Sequence, residues 1–354
     1  MTTLELFSKQ PDTLRTSTVW LLEQLAESKG RQAMFTRQSP QMLKALREHA
    51  LIESAVSSNR IEGVEIPQAR LKAVLFGRPL LKDRNEEEVR GYRQALDWIH
   101  QRAAKIPINT DAILELHRLS HAGAGDAGAF KARDVDIIER YPDGSQRVRF
   151  KTVSAKHTPA AVESLMSQWE RCLQERWVPP LVALGGFNLD FLCIHPFRDG
   201  NGRVSRLLLL LQCYHLGLEV GRYISLERLI EQNKARYYET LEESSRGWHE
   251  GKHDPWPYVN YLLFILAEAY REFEERVGQM KSPRGGKTQL IEAAVASQKG
   301  AFTVTNLERV CPGVSRDMIR RVLKDMQQEG RVKCLGRGPG AQWERKEGIT
   351  PKRG

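Results

Sequence analysis

The stretch His195-Pro196-Phe197-Arg198-Asp199-Gly200-Asn201-Gly202-Arg203-Val204-Ser205-Arg206 decides how this chain is to be understood. It gathers a titratable base, a carboxylate, two closely spaced glycines and several arginines. An ordinary imidazole titrates at about 6.5, so His195 is a candidate general base near neutral pH. Asp199 offers the hard oxygen that Mg²⁺ takes together with phosphate oxygens. Gly200 and Gly202 let the backbone turn tightly and bring N–H groups close to an anion. A leucine-rich helix starts just after them, so its N-terminal dipole would face the same anion. Arg203 and Arg206, three apart, can share a face of that helix. Together these groups suit the movement of a phosphate-bearing group. The plain alternative is a helix corner with a buried histidine and exposed arginines.

Working outward, 354 residues allow two or three domains with a full core. Hydrophobic residues at 41% and charged residues at 28% match an ordinary soluble protein. The aliphatic run at 207–211 is far too short to span a bilayer. Residues 1–12 lack the basic-then-apolar order of a secretory signal. Five cysteines without C-x-x-C spacing read as reduced side chains, so a cytoplasmic location is expected.

The formal net charge of +10 is unevenly placed. Residues 281–354 carry 16 Lys/Arg against 7 Asp/Glu, whereas residues 1–280 carry 38 against 37. A neutral body with a basic tail predicts a separate C-terminal module with an acidic partner.

Apolar spacing predicts helices through 39–101, interrupted at Pro67 and at 77–79, and another starting at Thr110 as N-cap. Residues 134–153 change to a partly alternating, β-branched pattern around Pro142-Asp143-Gly144, which predicts a β-hairpin. Helical spacing resumes at 160–174 and 187–194. It continues from the signature to about His215, with Gly217 as stop, and through 226–241 and 256–277. Residues 282–286 read as a linker. Beyond it, helices are expected at 289–297, 306–310 and 315–329, with strands at 332–335 and 341–344. This resembles a winged helix–turn–helix, in which Arg316, Arg320 and Arg337 would be the DNA contacts.

The signature itself resembles that of the Fic (Fido) family, His-x-Phe-x-Asp/Glu-Gly-Asn-Gly-Arg-x-x-Arg, at every fixed position. The resemblance covers about residues 40–270. It implies a mainly α fold with a β-hairpin flap, and transfer of AMP from Mg-ATP to a Ser, Thr or Tyr hydroxyl of a protein, self-modification included. His195 would be the base, Asp199 the Mg²⁺ ligand, and Gly200, Asn201, Gly202, Arg203, Val204, Ser205 and Arg206 the ATP cradle. Tyr237 and Tyr238 match the family's adenosine contact, and aromatic faces suit a purine. Ser245 stands where some relatives carry an asparagine. Gly128-Ala129-Phe130-Lys131 resembles the Gly-x-Phe-Arg lead-in to the flap, which would place Val135, Asp136, Ile137 and Ile138 over the nucleotide and dock the target along a strand edge.

Ser58, Glu62 and Gly63 resemble the inhibitory Ser/Thr-x-x-x-Glu-Gly/Asn motif of one class of the family, with Glu62 expected to pair with Arg206. Fic enzymes that remove AMP or transfer other phosphate groups would use the same loop. A nucleotide-sensing DNA-binding regulator is the alternative of another class, against which the intact His195 and Asp199 argue. The pairs His117/His121 and His249/His253 have metal-like spacing but no third ligand in an H-E-x-x-H frame, and read as structural. The expected layout is an N-terminal helical region (1–109), a Fic domain (110–270), a helix end and linker (271–286), a winged helix (287–346) and a basic tail (347–354). Expected partners are ATP, a hydroxyl-bearing protein and DNA at the C-terminal module. A membrane is not expected, and a homo-oligomer is allowed.

Overall fold

Helices dominate, as the spacing of apolar residues requires. The computed structural model describes residues 1–346, apart from 11–13, 37–39, 78–79, 141–142, 281–285, 297, 299, 312–313, 337 and 339. The chain divides into two compact units, Met1–Glu274 and Glu275–Gly354.

The first unit opens with α1 (Thr3–Lys9), α2 (Thr16–Thr36), α3 (Pro40–Ile61), α4 (Gln68–Phe76), α5 (Arg84–Arg102) and α6 (Thr110–Ser120). A hairpin of β1 (Ile137–Arg140) and β2 (Gln146–Phe150) follows. Then come α7 (Thr158–Glu175), α8 (Pro180–Ile194), α9 (Asn201–His215), α10 (Leu226–Gln232), α11 (Lys234–Ser245) and the start of α12 (Trp256–Met280).

The centre is α8 against α9. Residues 182–194 of α8 are buried without a break, and Val204 through Tyr214 of α9 likewise. Helices apolar on every side belong inside a core. Helix α7 packs on the outside of α8, α5 and α6 cover α9, and α3 lies across α5 and α10. Helix α1, opened by a Thr2–Glu5 capping box, docks on α8 through a buried carboxylate. Asp190 accepts the Thr3 and Leu4 backbone N–H groups at 2.7 and 3.1 Å and the Trp248 Nε1–H at 2.7 Å.

Two expectations are corrected. The helix through 226–241 is broken at Asn233, whose side-chain Nδ2 donates to the Leu229 carbonyl and ends α10, so α11 begins afresh. An asparagine amide competes for backbone groups in this way. The N-cap of α6 is Asn109 rather than Thr110, its side chain accepting the Ala112 N–H at 2.9 Å. In the hairpin, Asp143 accepts from Ser145 and Gly144 has φ +84°; Pro142 lies outside the described residues.

The second unit contains α13 (Gly286–Ala296), β3 (Phe302–Thr303), α14 (Val304–Val310), α15 (Arg316–Gln328), β4 (Val332–Cys334) and β5 (Gln342–Arg345). The sheet is antiparallel in the order β3-β5-β4. Ile291, Leu307, Ile319, Leu323 and Val332 centre its own core. Ser315 caps α15 by accepting the Met318 N–H, and Gly330 at φ +75° follows its end. This order is compatible with a winged helix–turn–helix. Gly286 of the expected linker already belongs to α13, and 282–285 lie outside the described residues. No helix among the described residues is long and apolar enough to cross a membrane.

Candidate functional site

Helix α8 ends on His195, whose backbone is left-handed at φ 53°. Positive φ in a non-glycine residue is uncommon and collects at functional positions. Helix α9 begins six residues later with Gly200 at φ +81° as its N-cap, and no side chain caps its first turn. The loop between them is braced from inside. Asn201 accepts the Phe197 N–H at 2.9 Å and donates to the Phe197 carbonyl at 2.8 Å. Phe197 is fully buried and stacks on His117 at 3.8 Å between ring centroids.

His117 locks the loop on its other side. Its Nδ1 accepts the Gly128 N–H at 3.0 Å, which leaves Nε2 to donate to the Asp199 carbonyl at 3.2 Å. Burial, then neighbouring His121, push its pKa down to about 4, so the ring is neutral and this tautomer is set. Both nitrogens are used, so the metal-like spacing of His117 serves the loop.

The His195 Nδ1 is buried and meets no partner at strict hydrogen-bond geometry among the described residues, with the Leu192 backbone near enough to favour its protonated form slightly. Burial, then the nearby Lys131 ammonium, lower its pKa to about 4. The imidazole is neutral at pH 7 and able to accept a proton. Lys131 is itself buried, its pKa pushed down to about 8 mainly by desolvation. It donates from Nζ to Thr152 Oγ1 at 2.7 Å and to the Ile194 carbonyl at 3.3 Å, and its backbone N–H donates to the Pro196 carbonyl. Thr152 in turn donates to the Val135 carbonyl. One lysine thus ties the base of the hairpin to the residues on either side of His195.

A cavity of about 180 Å³ opens beside His195. Its walls include Glu62, Gly202, Ile137, Arg149, Tyr237 and Tyr238. Tyr237 is buried among Tyr258 and Tyr261, while the Arg149 guanidinium lies 5.7 Å from the centroid of the Tyr238 ring. Arg149 also donates to the Tyr238 carbonyl at 2.6 Å, and Glu242 pairs with Arg147 at 3.2 Å, so β2 is strapped to α11. Of the four expected flap residues, Ile137 lines the cavity. Val135 accepts from Thr152, and Asp136 and Ile138 are exposed. Ser245 also lines it, its hydroxyl donating to the Glu242 carbonyl.

The side chains of the glycine loop divide between tasks. Asn201 is spent on Phe197, Val204 is core, and Ser205 donates to the Gly202 carbonyl. What these residues offer an anion is therefore the uncapped backbone of the α9 N-terminus. An anionic side chain already sits there. A Cβ on Gly202 would lie 2.2 Å from Glu62 Oε1, so a side chain there would push that carboxylate out of its present place. Arg206 Nη2 donates to Glu62 Oε1 at 2.8 Å and to the Ser58 carbonyl at 2.9 Å, and Nε donates to Ser58 Oγ at 2.9 Å. Burial works against the charge of Arg206, but Glu62 together with Tyr237 and Tyr92 outweighs it and raises the pKa above its ordinary value. Ser58 lies in the last turns of α3. Glu62 sits in the turn just beyond it, where Gly63 at φ +81° ends the helix.

Arg203 faces the other way. It is buried, with Nη1 2.7 Å from Glu88 Oε2. Asp199 Oδ1 accepts the Gly200 N–H at 2.6 Å, and Oδ2 accepts from Arg84 Nη2 at 2.7 Å. Burial would raise the Asp199 pKa, but Arg203, the Gly200 N–H and Arg84 among others keep it below the ordinary value. Glu88 and Arg84 were not singled out by the sequence, and Lys131 entered only as the last residue of the flap lead-in. Glu88 and Arg84 stand at helical i, i+4 spacing, but nothing in a solvated-looking Arg-Asn-Glu-Glu-Glu run points to a partner more than 100 residues away.

In the second unit, Arg316 and Arg320 lie on α15, with Glu308 and Asp317 at 3.8 and 3.4 Å. Arg337 lies outside the described residues.

Comparison with known proteins supplies a family. The model described as Fic/DOC family matches residues 107–213. The protein adenylyltransferase Fic of Drosophila erecta is 25% identical over 295 residues, which covers 73% of this chain and 53% of that protein. Its Drosophila melanogaster counterpart is 26% identical over 276 residues, covering 68% and 50%. The chain thus spans about half the length of the curated relatives it matches. A crystal structure of a Fic family protein from Desulfovibrio desulfuricans G20 aligns over 96% of this chain and 99% of its own, with TM-score 0.62 and 22% identity. A Fic domain containing signaling protein from Bacteroides thetaiotaomicron covers 72% of this chain and 97% of its own, with TM-score 0.60 and 21% identity. With the helix-ending histidine, the glycine-capped α9 and the hairpin flap already in place, the match over residues 107–213 and the similar proteins support a Fic domain protein.

Proposed function

We propose that this protein transfers AMP from ATP to a hydroxyl group of a protein and is held in check by Glu62. The observation that carries the proposal is the meeting of His195, the uncapped α9 N-terminus at Gly202 and the Tyr237–Tyr238 pair around one cavity. The relatives named protein adenylyltransferase support the nucleotidyl class.

In the proposed reaction, neutral His195 takes the proton of the target hydroxyl as its oxygen attacks the α-phosphorus. The new phosphorus–oxygen bond forms as the bond to the β-phosphate bridging oxygen breaks, and pyrophosphate leaves. Such transfer depends mainly on positioning and charge stabilisation. The α9 N-terminus would hold phosphate oxygens, Arg206 the terminal phosphate, and Tyr238 the purine. Asp199 is a half-exposed oxygen donor beside that N-terminus, and its chemistry fits Mg²⁺, which would neutralise phosphate charge when bound. Among the described residues the hairpin pairs with no third strand, and a strand edge of this kind suits an extended target segment.

Glu62 would suppress transfer by occupying Arg206 and the space over Gly202. The cavity is small beside the roughly 300–1,000 Å³ usual for ligand sites. This agrees with a carboxylate standing where phosphate would go.

The test is incubation of full-length protein, wild type and Glu62→Gly, with ATP, Mg²⁺ and lysate, followed by mass spectrometry of modified proteins. AMP on Ser, Thr or Tyr that disappears in Glu62→Gly/His195→Ala supports the proposal. A different adduct, or AMP transfer that survives loss of His195, overturns it.

A further inference from the structure

Both oxygens of Asp199 are engaged, and one of them by a residue outside the matched Fic segment. Arg84, in the first turn of α5, spans two carboxylates. Its Nε donates to Glu88 Oε1 at 2.7 Å, and its Nη2 donates to Asp199 Oδ2 at 2.7 Å. Glu88 is buried and also grips Arg203, while the side chains of Arg84 and Asp199 are 55% and 52% exposed. The four formal charges of Arg84, Glu88, Asp199 and Arg203 cancel. A divalent cation approaching Asp199 therefore meets a guanidinium already bonded to the oxygen it needs.

We propose that Arg84 is a built-in competitor for the metal position at Asp199, a positioning residue that holds the carboxylate until a divalent cation displaces it. The inference rests on the reading of Asp199 as a metal ligand. Glu88 gives Arg84 somewhere to remain. When the Asp199 bond breaks, the Arg84–Glu88 pair, one helical turn apart, keeps the guanidinium nearby and still charge-neutralised. The half-exposed Arg84–Asp199 bond is weak enough to exchange, since such pairs contribute well under the strength of a buried one. A guanidinium at contact distance also repels a second cation, by an amount that salt reduces.

The experiment is an electron paramagnetic resonance titration of the full chain with Mn²⁺, with and without ATP, on wild type, Arg84→Ala, Arg84→Lys and Asp199→Ala. Arg84 is half-exposed, and Glu88 keeps Arg203 as its partner when Arg84 is replaced. The expected result is Mn²⁺ binding that Asp199→Ala abolishes and Arg84→Ala tightens about three- to tenfold, with Arg84→Lys between. The gain should shrink at high salt. Equal or weaker Mn²⁺ binding in Arg84→Ala, with Asp199-dependent binding in wild type, overturns the role of Arg84 alone. Mn²⁺ binding that ignores Asp199 in every variant overturns the metal reading of Asp199 and this inference with it.

Discussion

Replacing Glu62 by glycine should act on stability and on activity in opposite directions. In the folded protein Arg206 is almost wholly buried, and the carboxylate of Glu62, about a third exposed, accepts from it at 2.8 Å as the countercharge. Removing that carboxylate leaves a buried guanidinium with only the Ser58 hydroxyl and carbonyl to satisfy it. A hydrogen bond to a charged group contributes about 1.5–3 kcal/mol. The exposed side of Glu62 puts the value toward the lower half, about 2 kcal/mol. The unliganded Glu62→Gly protein should therefore melt lower, by roughly 4–8 °C for a domain of this size. An anion that replaces the carboxylate should recover the loss. Millimolar Mg-ATP should thus raise the melting temperature of the variant more than that of wild type. The same 2 kcal/mol, no longer spent on Glu62, corresponds to about a 30-fold stronger grip of Arg206 on phosphate. Better alignment of the α-phosphorus can multiply the transfer rate further, since a misplacement of about 1 Å costs about 10²-fold. Differential scanning fluorimetry with and without Mg-ATP, beside a mass-based transfer assay, reads both effects. Glu65→Gln, beyond the helix end and outside this contact, is the control. If Glu62→Gly melts like wild type, gains no extra shift from ATP and transfers AMP no faster, the countercharge argument is wrong.

Further outcomes follow from the surrounding geometry. His195→Ala should reduce transfer by about 10²–10⁴-fold while ATP binding persists, because the phosphate contacts lie elsewhere. With His195 held at about pKa 4, transfer by Glu62→Gly should show no imidazole limb between pH 6 and 8 and fall only as the pH drops toward 4. Lys131→Met, by removing a neighbouring cation, should move that acid limb upward; an unmoved limb in the pH–rate profile would dismiss the coupling. Phe197→Ala should destabilise the first unit by about 3–5 kcal/mol in urea unfolding, because a fully buried ring stacked on His117 is lost. Asp190→Ala should speed hydrogen exchange in α1 by removing the acceptor of the Thr3 and Leu4 N–H groups. If the second unit binds DNA through Arg316, Arg320 and Arg337, anisotropy titration of the full chain should show affinity falling steeply with salt. No binding at low salt would favour a protein partner for it.

Legibility in the sequence followed the range of the interactions. The signature announced itself because its determinants are local: the left-handed His195, the glycine N-cap and the Asn201 brace all act within a few residues. Ser58 and Glu62 meet Arg206 across the fold, but their spacing and a family resemblance together were enough to suggest the contact. The dual role of His117 was not legible, since its partners Gly128, Asp199 and Phe197 come from separate stretches. Arg84, Glu88 and the contacts of Lys131 escaped for the same reason: a charged residue looks solvated until the partner that buries it is known. The break at Asn233 depends on one amide choosing the Leu229 carbonyl, a choice that apolar spacing does not encode. Helices α1 and α2 were covered only as a general helical region, because α1 owes its place to Asp190 in a distant helix.

The absent side chain at position 202 has an evolutionary corollary. Gly202 leaves a space that the Glu62 carboxylate now fills and that a phosphate would fill in its stead. On the proposed reading, altering Gly202 or Arg206 would disturb restraint and activity together, whereas altering Glu62 would disturb restraint alone. Random mutation at this site would then be biased toward release through position 62. Lineages that need the activity quiet would have to keep selecting for one acid outside the segment that matches the Fic family model, and those that need it loud could reach that state in a single step.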